Sequence, residues 1–144
     1  LVVAGDGPLR HDIEMMAAEL MPDRLTLLSI PAERMPELYQ SADVFLHLSK
    51  AESFGNVFLE AMACGLPIVA HDSSRLRWIV GDDQFLVDTD DQSAVIAALN
   101  SAAETPYGKK KAAVARASTF SWAKVAHVYR DFLAEVVDAY RIRD

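Results

Sequence analysis

An α/β fold built on a parallel sheet flanked by helices is predicted for this chain of 144 residues, and three observations predict it. Short apolar runs alternate with segments of helical length and pattern from Leu1 to about residue 103. The strand candidates are apolar on successive residues, the pattern of strands covered on both faces by crossover helices. Stop signals also fall where this reading needs them: Gly65 supplies a left-handed cap and Pro67 ends the helix that begins after Gly55.

Taken in order, the elements are a strand at Leu1–Ala4, a helix from about Leu9 to Leu20, a strand at Leu25–Leu28 and a helix from about Met35 to Ser41. A strand at Val44–Leu48 follows, then the helix after Gly55, a strand at Ile68–Ala70, a short helix around Arg75–Val80, a strand at Phe85–Val87 and a helix from about Gln92 to Ala103. All five strands are expected in one sheet with right-handed crossovers. Beyond Pro106 there is no strand candidate and the chain reads as two helices, with a soft joint at Glu104-Thr105-Pro106-Tyr107-Gly108. In the second helix Ser121 is a candidate N-cap, and Trp122, Val125, Ala126, Tyr129, Phe132, Leu133, Val136, Val137 and Tyr140 recur at three- and four-residue steps. Such a stripe must pack on something, either this domain's own sheet layer or a neighbouring domain.

Composition narrows the function. With 51% hydrophobic residues the chain can bury one sizeable core, and residues 1–144 are expected to form a single domain, with 106–144 as its C-terminal helical segment. The chain begins at Leu1 in what reads as mid-strand, without an initiator Met, so it is expected to be a piece of a longer polypeptide whose missing part precedes Leu1. A net charge of −7 disfavours a nucleic-acid partner, because phosphate-backbone binding needs clustered Lys and Arg, and Lys109-Lys110-Lys111 reads as a solvated helix face. The single cysteine, Cys64, cannot form an internal disulfide, which suits a reducing cytosol, and no apolar run approaches ~18 residues, so no membrane span is expected.

The chemistry concentrates in Glu52-Ser53-Phe54-Gly55-Asn56-Val57-Phe58-Leu59-Glu60-Ala61-Met62-Ala63-Cys64-Gly65-Leu66-Pro67. From Val57 to Cys64 only Glu60 is polar, so the helix is expected to be buried nearly all round and its carboxylate must find donors. An ion pair with Arg75 or Arg77 would supply them from within the chain. A ligand with hydroxyls at one end and phosphate at the other would supply them from outside. Glu60 shares a face with Asn56 one turn earlier, where the N–H groups near Gly55, Asn56 and Val57 emerge without intrahelical acceptors. Glu52 lies in the loop before the helix, so the two carboxylates bracket this amide cluster; its plainer reading is a solvated loop charge.

Ligands of open parallel sheets sit beyond the carboxyl ends of the strands. After the first strand comes Gly5-Asp6-Gly7-Pro8, a tight turn that is not the dinucleotide fingerprint, since the third glycine of that pattern would fall at Arg10. His47 and His71 fall near strand ends, where each is either a cleft residue or a hydrogen-bonded structural one. Lys50 is the nearest basic residue to the two glutamates. The run Asp88-Thr89-Asp90-Asp91 lacks the supporting His or Glu spacing of a metal site and reads as a loop and helix N-terminus.

The pattern Glu-x7-Glu, with Phe-Gly after the first Glu and Glu-Ala-Met-Ala-x-Gly-x-Pro from the second, resembles the donor-site signature of glycosyltransferase family 4, the group-1 retaining enzymes of the GT-B fold. Gly5-Asp6-Gly7-Pro8, Leu38-Tyr39-x-x-Ala42-Asp43-Val44, Ser49, Pro67-Ile68-Val69-Ala70 and Phe120-Ser121-Trp122 fall in that family's order. The resemblance covers essentially the whole chain and corresponds to the family's C-terminal, Rossmann-like, nucleotide-sugar-binding domain. It implies a donor-binding domain that transfers a sugar from a nucleoside-diphosphate sugar to an unidentified acceptor, with the N-terminal acceptor domain absent, no metal and no cofactor, and a cytoplasmic location in which any membrane association belongs to the missing half. By the same resemblance Glu60 takes the ribose hydroxyls and Glu52 the hydroxyls of the transferred sugar as the catalytic-site carboxylate. The backbone of Phe54, Gly55, Asn56 and Val57 holds sugar and pyrophosphate oxygens, and Gly7 leaves room for the ligand on the opposite wall.

This chain departs from the family at Ser29-Ile30 and Ser73-Ser74, where glycines are usual, and at Trp78, where many members have Glu. These departures motivate the alternative of a non-catalytic nucleotide-binding or interaction module of the same fold.

Overall fold

The computed structural model describes residues 1–82 and 84–141, which divide into two compact units, Leu1–Leu38 and Tyr39–Asp144. In the first unit β1 (Val2–Ala4) lies parallel to β2 (Thr26–Leu28), with Val2 opposite Thr26 and Ala4 opposite Leu28, and α1 (Arg10–Leu20) joins them. No residue of α1 is buried. Its Arg10 carries exposed ion pairs with Asp6 and Glu14, of a kind that adds little stability. A 3-10 turn at Ala32–Arg34 leads into α2 (Met35–Gln40).

The second unit holds a three-stranded parallel sheet in the order β3 (Phe45–His47), β4 (Ile68–His71), β5 (Phe85–Val87). Phe45 stands opposite Ile68, and Val69 opposite Phe85. Its helices are α3 (Asn56–Ala63), α4 (Ser74–Val80), α5 (Gln92–Ala103), α6 (Tyr107–Ser118) and α7 (Trp122–Arg141). The central strand is the most buried element: Ile68, Val69 and Ala70 are fully enclosed, as successive apolar residues on a doubly covered strand require. Val69 packs with Ala98 and Ala102 of α5, while α3 packs on α6, whose Ala113 and Ala117 are buried. The fully buried Phe58, Met62, Ile68 and Ile79 each contribute about 1.5–3 kcal/mol by leaving water.

The elements match their predicted positions, and the α/β class with parallel sheets flanked by helices is observed. Within the first unit β1 and β2 form one parallel ladder, and within the second β3, β4 and β5 form another. Of the stripe on α7, Val125 is half-buried while Trp122, Tyr129, Phe132, Leu133 and Tyr140 are exposed, so among the described residues most of it is not covered by this unit.

Candidate functional site

The site is built around the start of α3. Gly55, its N-cap, has φ +78°, and a Cβ there would lie 2.5 Å from Phe58 Cδ2 and 2.9 Å from Glu52 Cγ. Only glycine meets both conditions, so the chain reverses tightly enough to bring Glu52 beside the first turn of the helix. The other end closes as predicted: Gly65 has φ +79°, its N–H donates to Met62 O and the Leu66 N–H donates to Ala61 O.

Glu60 is not buried, contrary to expectation. The helix turns Phe58, Ala61 and Met62 inward, which leaves Asn56, Glu60 and Ala63 exposed on a common face. An unbroken apolar run carries no phase, and tertiary packing chose the face. The Tyr39 hydroxyl donates to Glu60 Oε2 at 3.0 Å. Tyr39 is itself buried, and desolvation, reinforced by that hydrogen bond and by the Glu60 charge, pushes the phenol well above its ordinary value of 10.0. Cys64, one turn after Glu60, is also pushed up, first by burial and then by the Glu60 charge.

Neither guanidinium expected as a rival partner takes Glu60. Arg77 pairs with Asp72, with its Nε 2.7 Å from Oδ1, and holds that carboxyl below the usual carboxylate range. Arg75 donates to the carbonyl oxygens of Glu52 and Ser53. Among the described residues no Lys or Arg forms an ion pair with Glu60. A carboxylate offers about four lone-pair sites, and the tyrosine hydroxyl uses one of them.

Glu52 is three-quarters buried. Its Oε1 accepts the Ser53 N–H at 3.0 Å, and its Oε2 stands 3.9 Å from His47 Nε2. The His47 ring packs edge-on to Phe58 at 5.0 Å, and its buried Nδ1 has no partner among the described residues. Phe54 keeps an exposed ring, edge-on to Phe120 at 6.2 Å. The N–H groups of Asn56 and Val57 open the first turn of α3, where the helix dipole and unshared donors favour an anion.

The remaining candidates have local roles. His71 Nδ1 lies 3.1 Å from Thr89 Oγ1, a structural histidine linking the ends of β4 and β5. Lys50 pairs with Asp90, whose carboxyl is lowered by that contact, and Asp91 Oδ1 caps α5 by accepting from Ser93 and Ala94. Gly7 lies in the first unit, where its N–H donates to Asp6 Oδ1 and an added Cβ would meet open space. Sequence reasoning did not single out Tyr39 as the partner of Glu60. The signal available was its place in the Leu38–Val44 element, but the contact joins positions 21 residues apart.

Tyr39→Phe tests that contact. The phenol's raised pKa in the folded state means that its contribution is present below about pH 10 and is lost as pH rises further, since the unfolded chain then releases the proton more readily. The variant is expected to lose about 1 kcal/mol at neutral pH, one net hydrogen bond. It should also show a shallower decline in melting temperature than the wild type between about pH 9 and about pH 11. Parallel slopes would reject the assignment.

The chain is 34% identical over 139 residues to D-inositol 3-phosphate glycosyltransferase from Salinispora tropica, covering 92% of this chain and 29% of that protein. It is 33% identical over 127 residues to the GDP-mannose-dependent alpha-(1-6)-phosphatidylinositol dimannoside mannosyltransferase of Mycobacterium tuberculosis, covering 88% of this chain and 33% of that one. The chain therefore spans about a third or less of the length of these relatives. In structure it is similar to the pneumococcal O-GlcNAc transferase GtfA in complex with UDP and GlcNAc, with TM-score 0.76 and 18% identity over 94% of this chain and 29% of that one, a likeness of fold to GT-B glycosyltransferases. The family described as glycosyl transferases group 1 matches residues 1–119, and with the glutamate-bracketed helix start in place the chain belongs to that family.

Proposed function

We propose that this chain is the donor-binding domain of a retaining family 4 glycosyltransferase, the C-terminal half of a GT-B enzyme that moves a sugar from a nucleoside-diphosphate sugar to an acceptor held by another domain. The observation that carries the reading is Glu60: an exposed carboxylate without a cationic partner among the described residues, steered by a tyrosine hydroxyl and set on the same helix face as Asn56. In this reading Glu60 accepts hydrogen bonds from the two ribose hydroxyls. The amides from Phe54 to Val57 take the diphosphate, whose growing charge in the transition state is where glycosyl transfer needs stabilisation. Glu52, already oriented by the Ser53 N–H, takes hydroxyls of the transferred sugar. No metal or cofactor enters the scheme, and the reaction is placed in the cytoplasm. The exposed stripe of α7 supports a partnership with an acceptor domain.

Calorimetry with UDP, GDP and ADP and their hexose conjugates tests the reading. The chain is expected to bind one nucleotide class and to prefer its sugar conjugate, without turnover by these 144 residues alone. Binding of none of them would reject it. A non-catalytic module is the competing reading, motivated by Trp78 in place of the family's common Glu. The two separate on Glu52→Gln in a protein carrying both domains. Loss of one charge-assisted hydrogen bond to the sugar is expected to lower turnover about tenfold. Absence of turnover by the unaltered two-domain protein across the donor panel favours the module.

A further inference from the structure

We infer that Arg75 is a positioning residue for Glu52, and that the face of α4 bearing Arg75 and Trp78 is the device that sets the donor loop. The inference rests on the proposed role of Glu52. Arg75, in the first turn of α4, reaches the loop after β3, and its Nη1 donates both to Glu52 O at 2.5 Å and to Ser53 O at 3.0 Å. One nitrogen thus joins two successive peptide planes. The first plane matters most. Its carbonyl is Glu52 O, held by Arg75, and its N–H is that of Ser53, which donates to Glu52 Oε1 at 3.0 Å.

A trans peptide is a rigid plate with C=O and N–H on opposite edges, so gripping the carbonyl fixes the direction in which the N–H presents itself to the carboxylate. The charged donor also polarises the same amide, which strengthens the hydrogen bond on its far side. The guanidinium therefore acts on the carboxylate through the main chain.

The neighbouring arginine does not duplicate this role, since Arg77 is engaged by Asp72. A second hold comes from the same helix face. Trp78, one turn after Arg75, stands edge-on to Phe120 at 5.4 Å, and Phe120 stands edge-on to Phe54, the residue after Ser53. Arg116 in turn lies over the Phe120 ring, 5.6 Å from its centroid, and donates to Ile79 O of α4. The Glu52-Ser53-Phe54 segment, which belongs to no helix or strand, is thus anchored to α4 by a charge-assisted contact and by a row of rings. Both anchor residues stand in the stretch where the sequence departs from its family, Ser73 to Trp78. In this chain a tryptophan occupies the usual glutamate position and serves as packing.

The test is calorimetry on the chain with UDP, GDP and ADP and with UDP-glucose, GDP-mannose and ADP-glucose, for the wild type, Arg75→Ala, Arg75→Lys, Glu52→Gln and the Arg75→Ala/Glu52→Gln double variant. The quantity read is the ratio of affinities for the sugar conjugate and the bare diphosphate. Arg75→Ala is expected to lower diphosphate affinity only slightly, through the Phe54 N–H of the second plane, and to reduce that ratio about tenfold, with Arg75→Lys recovering part of it and no further loss of the ratio on the Glu52→Gln background. Amide exchange at Ser53 is expected to quicken in Arg75→Ala and in Arg75→Lys, which keeps the proposal exposed to failure if the alanine variant folds poorly. Equal losses for diphosphate and conjugate would make Arg75 a direct phosphate contact and overturn the inference, as would an unchanged ratio or additive losses in the double variant. A wild type that binds no nucleotide overturns the functional reading, whereas normal wild-type binding with an unaltered ratio in Arg75→Ala overturns this inference alone.

Discussion

Gly55→Ala is expected to destabilise the fold by about 2–4 kcal/mol, the sum of about 1 kcal/mol for a left-handed backbone without glycine and about 1–3 kcal/mol for overpacking. The added Cβ would stand 2.5 and 2.7 Å from two carbons of the Phe58 ring. That ring has no room to retreat: Phe58 is fully buried, with Phe45 at 5.9 Å and His47 at 5.0 Å. The backbone at residues 52–55 must then shift and carry Glu52 with it. In a unit of this size the melting temperature should fall on the order of 10 °C. Gly65→Ala isolates the conformational part, because Gly65 has nearly the same φ while its Cβ would meet only ordinary contacts at 3.8 and 3.9 Å. It is expected to cost about 1 kcal/mol. Thermal melts of the two variants decide the matter, and equal losses would mean that the contact with Phe58 does not constrain the loop.

Glu60→Ala is expected to weaken binding of the preferred nucleoside diphosphate about a hundredfold, because two charge-assisted hydrogen bonds to a ribose diol contribute on the order of 3 kcal/mol together. Glu60→Gln keeps one acceptor and should lose about tenfold. Stability should fall in either variant by no more than about 1 kcal/mol, the contribution of the Tyr39 hydrogen bond. Glu60 lies on the exposed face of α3, so water can replace the carboxylate at the Tyr39 hydroxyl. Calorimetry combined with melting therefore separates a ligand contact from a structural one. Undiminished affinity in Glu60→Ala would remove the ribose contact, and a large fall in melting temperature would show that the Tyr39–Glu60 pair serves the fold.

The same residues show where sequence reasoning ends. The limits of α3 were legible because Gly55, Gly65 and Pro67 each impose a backbone constraint that acts within a few residues. The strands were legible because Ile68, Val69 and Ala70 are apolar in succession, which only a doubly covered position tolerates. The environment of Glu60 was not legible. Eight residues with one polar member do not reveal which arc of the helix faces the sheet, and the expected buried anion is an exposed one. The partner Tyr39 and the clip made by Arg75 were hidden for a related reason: they join positions 21 and 23 residues apart, beyond the reach of periodicity or capping.

By itself the sequence determined the α/β order, the ends of α3 and the grouping of Glu52, Gly55 and Glu60 around one helix start, since these follow from local backbone preference and from the spacing of apolar residues. The tertiary structure alone decided that Glu60 faces outward under a tyrosine hydroxyl and that α4 grips the loop carrying Glu52. Those outcomes depend on which surfaces meet, and that is chosen by the packing of residues far apart in the chain.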